Sequence, residues 1–277
     1  MKKKFTIALC LLLSLSFVLA GCGGGSEEAA KEINSPADFN GAKIAVQTQT
    51  TADESITALN TEEEITIERY ESIKQCFDDL KLGRVDAVYV DSVVASYYTK
   101  GESEYKRTWI SDEAEPMGIV LQKDNPELAA AVEAAIDTMY FDGTMAEIAI
   151  KNFGDDFTAG LRDITEQPVI PEGFTTKTAG VFSYGTEATY PPMEYTTDDG
   201  KDFIGFDIDV ANRIGEILGL AVNVENTSWD GIFAGLEKNQ YDSILSAVSI
   251  NKERQEKYNV TKPYVANALC IVTKAGE

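Results

Sequence analysis

The stretch from Tyr184 to Arg254 constrains the fold of this chain more than any other. Short strand-like apolar runs alternate there with segments of helical periodicity, and polar turns separate them. This order predicts a parallel sheet with helices packed against it. Because parallel sheets bind ligands at the carboxyl ends of their strands, the polar and aromatic residues at those ends are candidates for a site. They are Tyr190, Trp229, Ser246, Ser249 and Arg254.

The start of the chain resembles a targeting segment. Residues 2–4 are lysines, an apolar run follows to Ala20, and Cys22 comes after small residues. This pattern resembles the lipobox of bacterial lipoproteins, in which the cysteine is lipidated; an ordinary secretory signal or a short membrane helix are the alternatives. We predict a signal peptide over residues 1–21, a lipid anchor at Cys22 and a flexible tether over residues 22–34.

Charge and composition restrict the partners and the chemistry. The chain has 24 Lys+Arg and 46 Asp+Glu, a formal net charge of −22, which argues against nucleic acid as a partner. Histidine is absent, which excludes Ser-His-Asp and Cys-His catalysis and histidine-containing zinc sites. There is no Gly-rich phosphate motif after a predicted strand and no metal-ligand spacing, so we expect neither a cofactor nor a metal.

Cys76 and Cys270 are predicted to be buried thiols. Cys76 lies on the apolar face of a predicted helix, and Cys270 lies in a strand-like run. Buried thiols behave as small apolar side chains. A disulfide between them remains an alternative in an oxidising compartment.

Two helix starts in the first part of the chain could receive a ligand. Thr51 and Glu54 form a capping-box pattern, and an anion could bind the free amide groups there. Asp91 follows a buried strand and precedes a helix, where its carboxylate could meet an ammonium group. Thr51 and Asp91 also have a simpler interpretation as helix caps, which the local sequence alone favours.

A short repeat indicates two similar lobes. The pattern L-x-x-G-x-x-D at 80–86 precedes one buried strand, and L-x-x-N-x-x-D at 236–242 precedes another. Glycine and asparagine tolerate the left-handed conformation that ends many helices. We predict a helix end, an aspartate and a buried strand in that order in each lobe.

Several motifs together resemble the polar-amino-acid solute-binding proteins of ABC importers. In the second part of the chain they are G-T-E at 185–187, Y-P-P at 190–192, G-F-D-I-D at 205–209, W-D-G at 229–231, S-I-N-K-E-R at 249–254 and K-P-Y at 262–264. In the first part they are D-F-N-G at 38–41, Q-T-Q-T-T at 47–51, L-G-R-V-D-A at 82–87, Asp91 and D-G-T at 142–144. The resemblance implies an α/β, two-lobed periplasmic-binding-protein type II fold, in which each lobe is a mainly parallel sheet flanked by helices.

The two parts occur in the reverse of the family's order, which resembles a circular permutation. Residues 35–115 would form lobe 2, 116–154 the C-terminal part of lobe 1, 155–180 the permutation linker and 181–277 the N-terminal part of lobe 1. We expect one chain to build both lobes as a monomer. A fragment of a longer tandem protein and a domain-swapped pair are the alternatives.

The resemblance implies how the ligand's charged groups would be held. Arg254 would bind the carboxylate as a bidentate donor, with further hydrogen bonds from Ser249 and Thr51. Asp91 would pair with the α-ammonium group.

The remaining predicted site residues would contact the ligand's side chain. Tyr190 and Trp229 would enclose it between aromatic faces, and Glu187 would reach its tip, while Ser246 and Thr50 would line the pocket. Aromatic faces and a carboxylate suit a cationic tip, so we favour arginine or lysine, with cystine or glutamine next.

Three residues depart from the family pattern; one of them, Asn251, replaces a frequent threonine but caps a helix as well. Gln49 stands where glycine is common, which leaves the backbone shape of that turn open. Ala247 stands where serine or glycine is frequent, which removes one possible bond to the ammonium group.

The resulting prediction is a receptor and not an enzyme. It would be lipid-anchored on the outer face of the cell membrane, in a Gram-positive host by preference, or periplasmic, and would deliver a polar or cationic L-amino acid to the membrane subunits of an ABC importer. The alternatives are a dehydratase acting on prephenate-like acids, for which Glu187 is the only evident acid group, and a ligand-sensing module.

Overall fold

The fold is known from a computed structural model, which describes residues 31–101 and 103–276. The predicted signal peptide, the predicted lipidation site at Cys22 and residues 22–30 of the predicted tether lie outside the described residues. None of the described helices is both long enough and apolar enough to cross a lipid bilayer.

Strands and helices alternate along most of the described chain. The strands are β1 (Lys43–Gln47), β2 (Thr66–Tyr70), β3 (Ala87–Asp91), β4 (Tyr105–Ile110), β5 (Val120–Leu121), β6 (Val181–Thr186), β7 (Thr189–Tyr190), β8 (Glu194–Thr196), β9 (Phe203–Ile204), β10 (Ala221–Asn226), β11 (Ser243–Ile244), β12 (Asn259–Val260) and β13 (Leu269–Lys274). The helices are α1 (Thr51–Leu59), α2 (Ile73–Lys81), α3 (Ser92–Tyr98), α4 (Pro126–Asp142), α5 (Thr144–Phe153), α6 (Phe206–Leu218), α7 (Trp229–Glu237) and α8 (Lys252–Lys257), with a short 3-10 helix at Pro36–Asp38.

Two five-stranded sheets define the two lobes. The sheet of lobe 2 has the order β2-β1-β3-β13-β4, and the sheet of lobe 1 has the order β10-β6-β11-β5-β12. In each sheet one strand, β13 or β5, is antiparallel to both of its neighbours, and the others are parallel to one another. Helices pack on both sheets. The predicted fold class, two lobes each built on a mainly parallel sheet flanked by helices, is confirmed.

Two segments of the chain cross from one lobe to the other, one before β13 and one before β5. β13 belongs to the segment 181–277, which was assigned to lobe 1, yet it pairs with β3 and β4 of lobe 2. Residues 269–274 therefore belong to lobe 2 and not, as predicted, to lobe 1. The segment before β5 crosses in the other direction, from lobe 2 to lobe 1. In this segment, Glu115 donates its backbone N–H to Asn267 O at 2.8 Å. The two crossing segments run side by side between the lobes.

The folded part begins before Ser35, where the prediction placed it. Ile33 lies within the predicted tether but is 1% exposed, and it packs in a core cluster with Phe39 and Ala42. An isoleucine buried in this way fixes the chain, so the predicted tether is shorter at this end.

The predicted repeat has a structural counterpart in each lobe. Gly83 has φ 68° and Asn239 has φ 54°, so both end their helices in the left-handed conformation. Asp86 then accepts a hydrogen bond from the first backbone N–H of β1 at 2.7 Å. Asp242 accepts one from a backbone N–H of β6 at 2.8 Å. The aspartate thus fastens equivalent strands in the two lobes.

The predicted permutation linker contains no helix or strand, but it is firmly attached to lobe 1. The side chain of Arg162 is 2% exposed and contacts Glu133 at 2.9 Å and Asp137 at 2.6 Å, both on α4. It also donates to the backbone oxygens of Pro263 at 2.8 Å and Lys262 at 2.7 Å. Five-donor guanidinium groups can satisfy several acceptors at once, and here one such group holds the linker against the lobe.

Both described cysteines are buried free thiols. Cys76 and Cys270 lie in the same large apolar core cluster, and neither is in a disulfide. Their predicted role as buried apolar side chains is confirmed.

Candidate functional site

All nine predicted site residues line one cavity between the lobes. The cavity has a volume of about 20 Å³. That is room for roughly one water, so the lobes are closed on each other. The lining residues are Gln47, Thr50, Thr51 and Asp91 from lobe 2, and Glu187, Tyr190, Glu194, Trp229, Ser246, Ala247, Ser249 and Arg254 from lobe 1.

The topology explains why residues distant in sequence meet here. Gln47 ends β1 and Asp91 ends β3, while Glu187 and Ser246 follow β6 and β11. Each of these four strands is parallel to its partner in the sheet. Their carboxyl ends therefore lie at one edge of each sheet, and the two edges face each other across the cleft.

Arg254 is the one cation of the cavity lining. Asn251 caps α8 by accepting a hydrogen bond from Arg254 N at 2.9 Å, which fixes where the side chain starts. Its guanidinium lies 5.7 Å from the Trp229 ring centroid and 5.3 Å from that of Phe233. Nη1 donates to Ser249 O at 2.7 Å, and the other N–H groups of the fork have no acceptor among the described residues. The remaining N–H groups of the Arg254 guanidinium are therefore available to donate to an incoming carboxylate.

Asp91 faces the cavity and does not cap its helix. It is 7% exposed, and it makes no side-chain hydrogen bond to the start of α3, so the simpler interpretation as a cap is wrong. Tyr190 Oη of lobe 1 donates to Asp91 Oδ2 at 2.5 Å, and Asn267 Nδ2 donates to Oδ1. Burial raises the pKa of Asp91, and these two hydrogen bonds oppose the rise. A carboxylate held by one donor from lobe 1 and one from a crossing segment can exchange one of them for an ammonium group.

The helix start at α1 differs by one residue from the prediction. Thr50, and not Thr51, is the cap, since its side chain accepts from Asp53 N at 3.3 Å. Thr51 is thereby free to face the cleft, where its Oγ1 lies 3.4 Å from Ser249 Oγ of the other lobe. The two hydroxyls predicted to bind a carboxylate are neighbours.

Two of the three departures from the family pattern, Gln49 and Ala247, are accommodated in the left-handed backbone region. Gln49 has φ 58° and Ala247 has φ 49°. Gln49 O accepts a hydrogen bond from Trp229 Nε1 at 3.2 Å. Ala247 N donates to Asp207 Oδ2 at 2.9 Å. These bonds compensate for part of the backbone strain of non-glycine residues.

Glu187 is tied to a residue that sequence reasoning missed. Gln47 Nε2 donates to Glu187 Oε2 at 2.7 Å across the cleft, and Thr189 Oγ1 donates to Oε1 at 3.1 Å. Burial raises the pKa of Glu187 to about 7 although both hydrogen bonds lower it. The position of Gln47 at the end of β1 is the sequence signal that could have identified it.

Two further carboxyl groups were not predicted. Glu194 lines the cavity at 1% exposure, and Ser246 Oγ donates to its Oε1 at 2.8 Å. Glu115 lies on the crossing segment, near Thr51 and Ser249, and burial and then Asp91 raise its pKa to about 7. Their signals in the sequence are weak, since each is one acidic residue in an acidic chain.

The charges of the cavity lining favour a cationic ligand. Asp91, Glu187 and Glu194 contribute three carboxyl groups to the lining that also contains the guanidinium of Arg254. The described residues contain no group of three or more His, Cys, Asp or Glu side chains that could hold a metal ion. The arrangement can therefore bind a zwitterion with an additional positive charge.

Comparison with known proteins gives matches to the second part of the chain. Residues 182–277 match the bacterial extracellular solute-binding proteins, family 3. The L-cystine-binding protein TcyJ of Escherichia coli (strain K12) is 34% identical over 100 residues, which are 36% of this chain and 37% of the relative. The L-arginine-binding protein of Pseudomonas aeruginosa is 33% identical over 92 residues, 33% of this chain and 35% of the relative.

An enzyme is also among the relatives. The cyclohexadienyl dehydratase of Pseudomonas aeruginosa is 33% identical over 99 residues, which are 36% of this chain and 37% of the enzyme. The alignments thus span little more than a third of each relative's own length.

Proposed function

We propose, from the match of residues 182–277 to family 3 of the bacterial extracellular solute-binding proteins, that the chain is an extracytoplasmic receptor. It would bind a cationic amino acid and deliver it to an ABC importer. The observation that carries the proposal is the presence of Arg254 from lobe 1 and Asp91 from lobe 2 in the lining of one buried cavity. The guanidinium of Arg254 can bind the carboxylate of an amino acid, and the carboxylate of Asp91 can bind its α-ammonium group. Because the two side chains belong to different lobes, a ligand that binds both holds the lobes together.

We favour arginine or lysine because of the remaining lining. Trp229 is 8% exposed and offers an aromatic face, and Glu187 and Glu194 supply carboxyl oxygens to the same lining. A relative named for arginine binding supports this choice. Cystine is the second candidate, supported by a relative named for cystine binding.

Binding requires the lobes to separate first. The reachable volume of about 20 Å³ is far below that of an amino acid, and hydrogen bonds cross the cleft from Gln47 to Glu187 and from Tyr190 to Asp91. We infer that the ligand's cationic groups replace these two protein donors when the lobes close again.

Calorimetry with the standard amino acids, cystine and ornithine tests the proposal. Arg254→Ala and Asp91→Ala should each weaken binding by about 3 kcal/mol, because a desolvated charged group of the ligand loses its partner. Arg84→Ala is the matched control, since that arginine pairs with Asp79 on the surface at 66% side-chain exposure. Native affinity in a folded Arg254 or Asp91 variant would contradict the site assignment.

We also propose that the chain is circularly permuted and lipid-anchored at Cys22. The assembly of the lobe 2 sheet from residues 43–110 and 269–274 supports the permutation. A compact monomer in light scattering and small-angle scattering, contracting with ligand, is the expected result; an obligate dimer would indicate domain swapping. Metabolic labelling with palmitate that is lost in Cys22→Ala tests the anchor.

A dehydratase activity is the second candidate function. It is favoured by the dehydratase relative and by Glu187, whose pKa of about 7 keeps part of the carboxyl protonated near neutral pH. A general acid needs such a proton. Incubation with prephenate distinguishes the two: loss of prephenate that depends on Glu187 would establish an enzyme, and unchanged prephenate supports the receptor.

A further inference from the structure

Glu194, which lines the cavity, and the nearby Asp207 are buried carboxyl groups with no salt bridge to any described residue. Glu194 is 1% exposed and lines the cavity, and Asp207 at the start of α6 is 0% exposed. Oε2 of Glu194 has no hydrogen-bond donor among the described residues. The carboxyl of Asp207 lies within hydrogen-bonding reach of Glu194, so the two can bond if one of them keeps a proton.

The hydrogen bonds decide which group keeps the proton. Asp207 accepts from Tyr264 Oη at 2.6 Å on Oδ1 and from Ala247 N at 2.9 Å on Oδ2. Both of its oxygens are acceptors, as in an ionised carboxylate. Glu194 accepts only from Ser246 Oγ, through Oε1. The proton therefore belongs on Glu194 Oε2, from which it can be donated to Asp207.

The surroundings favour the neutral acid. Burial raises the pKa of Glu194 well above its usual range, and the nearby negative charge of Asp207 raises it further. Burial also raises the pKa of Asp207, to about 6, which leaves it the more acidic of the two. The titratable groups that face the pair are anionic or neutral: Glu187, Tyr184, Tyr190 and Tyr264.

Glu194 is linked to the group predicted to meet the ligand's tip. Ser246 Oγ accepts a hydrogen bond from Glu187 N at 3.0 Å and donates one to Glu194. One hydroxyl thus joins the backbone of Glu187 to the carboxyl of Glu194, and the negative charge of Glu187 contributes to the raised pKa of Glu194. A ligand cation between Glu187 and Glu194 would supply the positive charge that the buried pair of Glu194 and Asp207 lacks.

We propose that Glu194 is a proton-exchanging subsite for the side-chain cation of the ligand. The carboxyl is neutral in the free protein; when a guanidinium or ammonium group arrives, Glu194 releases its proton to solvent and the new carboxylate pairs with the cation. Charge balances, since one positive charge enters and one proton leaves. The inference rests on the proposed binding of a cationic amino acid, and Glu194 adds selection for the charged tip.

Calorimetry in buffers of different ionisation enthalpy measures this proton directly. Near pH 8, groups with a pKa of about 7, such as Glu187 and Glu115, are roughly nine-tenths ionised and have little proton to give. Arginine should then release close to one proton and gain about tenfold affinity per pH unit. Citrulline has the shape of arginine without its charge, so its binding should release about none and stay independent of pH.

Three variants separate Glu194 from its neighbours. Glu194→Gln keeps an acceptor for Ser246 and a donor for Asp207, so it should fold, and it should release no proton with arginine. Glu187→Gln and Glu115→Gln are the matched controls, and both should retain the release near pH 8. In wild-type protein, arginine should remove the infrared carbonyl band of a protonated carboxylic acid, a measurement that requires no variant.

The possible outcomes are distinct. Release with arginine alone, lost in Glu194→Gln, supports the subsite. Equal release with citrulline, persistence of the release in Glu194→Gln, or an unchanged infrared band overturns it while leaving amino-acid binding intact. Absence of binding by every amino acid would overturn the proposed function, and the subsite with it.

Discussion

Glu187→Gln should change the pH dependence of stability in the protein without ligand. Glu187 is 7% exposed, and burial raises its pKa from 4.5 to about 7. The folded state therefore holds this proton more tightly than the unfolded state. A raised carboxyl pKa contributes stability that is present below the unfolded pKa and lost as the pH rises through the folded pKa. The window of loss for this residue runs from about pH 4.5 to 7.

The magnitude follows from the shift. Ionisation of a group displaced by about 2.5 pH units costs close to 3 kcal/mol when complete, and about 2.5 kcal/mol of this falls between pH 5 and 8. Glutamine does not titrate, and it can keep an oxygen for Gln47 and an amide for Thr189, whose hydroxyl can accept as well as donate. Stability of the variant relative to wild type should therefore rise by about 2.5 kcal/mol over that range.

Urea unfolding followed by tryptophan fluorescence at several pH values provides the assay. Glu166→Gln, at an exposed position of the linker, is the matched control and should show no pH-dependent difference from wild type. A difference between Glu187→Gln and wild type that stays constant from pH 5 to 8 would refute the argument, because it would mean that Glu187 titrates normally in the folded state.

Three further substitutions test contacts described above, each by urea unfolding. Arg162→Ala should lose about 3 kcal/mol because it leaves two carboxylates and two carbonyls without their shared donor, whereas the exposed Arg84→Ala should lose under about 1 kcal/mol; equal losses would contradict the burial argument. Gly185→Ala places a methyl group 2.4 Å from the buried Tyr241 ring and should cost about 2 kcal/mol, and a neutral effect would show that the ring can move. Thr50→Ala should cost about 1 kcal/mol through loss of the α1 cap; no loss would contradict the cap assignment.

Much of the site could be predicted because its residues carry local signals. Tyr190, Trp229 and Arg254 follow predicted strands or begin helices, and a parallel sheet brings such positions together at one edge. The nine residues predicted for the ligand all line the cavity. Their roles toward a ligand stay predictions, since geometry alone does not test binding.

The rest depended on contacts between distant segments. Asp91 has the local pattern of a helix cap, and only the approach of Tyr190 and Asn267 from other segments turns its side chain to the cleft. The membership of β13 in the lobe 2 sheet is a long-range pairing, which has no local signature. Thr50 and Thr51 both fit a cap, and the left-handed turn at Gln49 selects between them.

The attachment of the linker has a consequence for the use of this protein as a sensor scaffold. Arg162 near its start and Lys177 near its end both bind lobe 1, the latter through its N–H to Asp242 at 2.6 Å. The linker therefore moves with lobe 1 and does not bridge the cleft between the lobes. Val169 between them is 85% exposed. A fluorescent domain inserted beside Val169 should leave ligand affinity unchanged, whereas one inserted between Ser111 and Met117 should weaken it by interrupting a crossing segment.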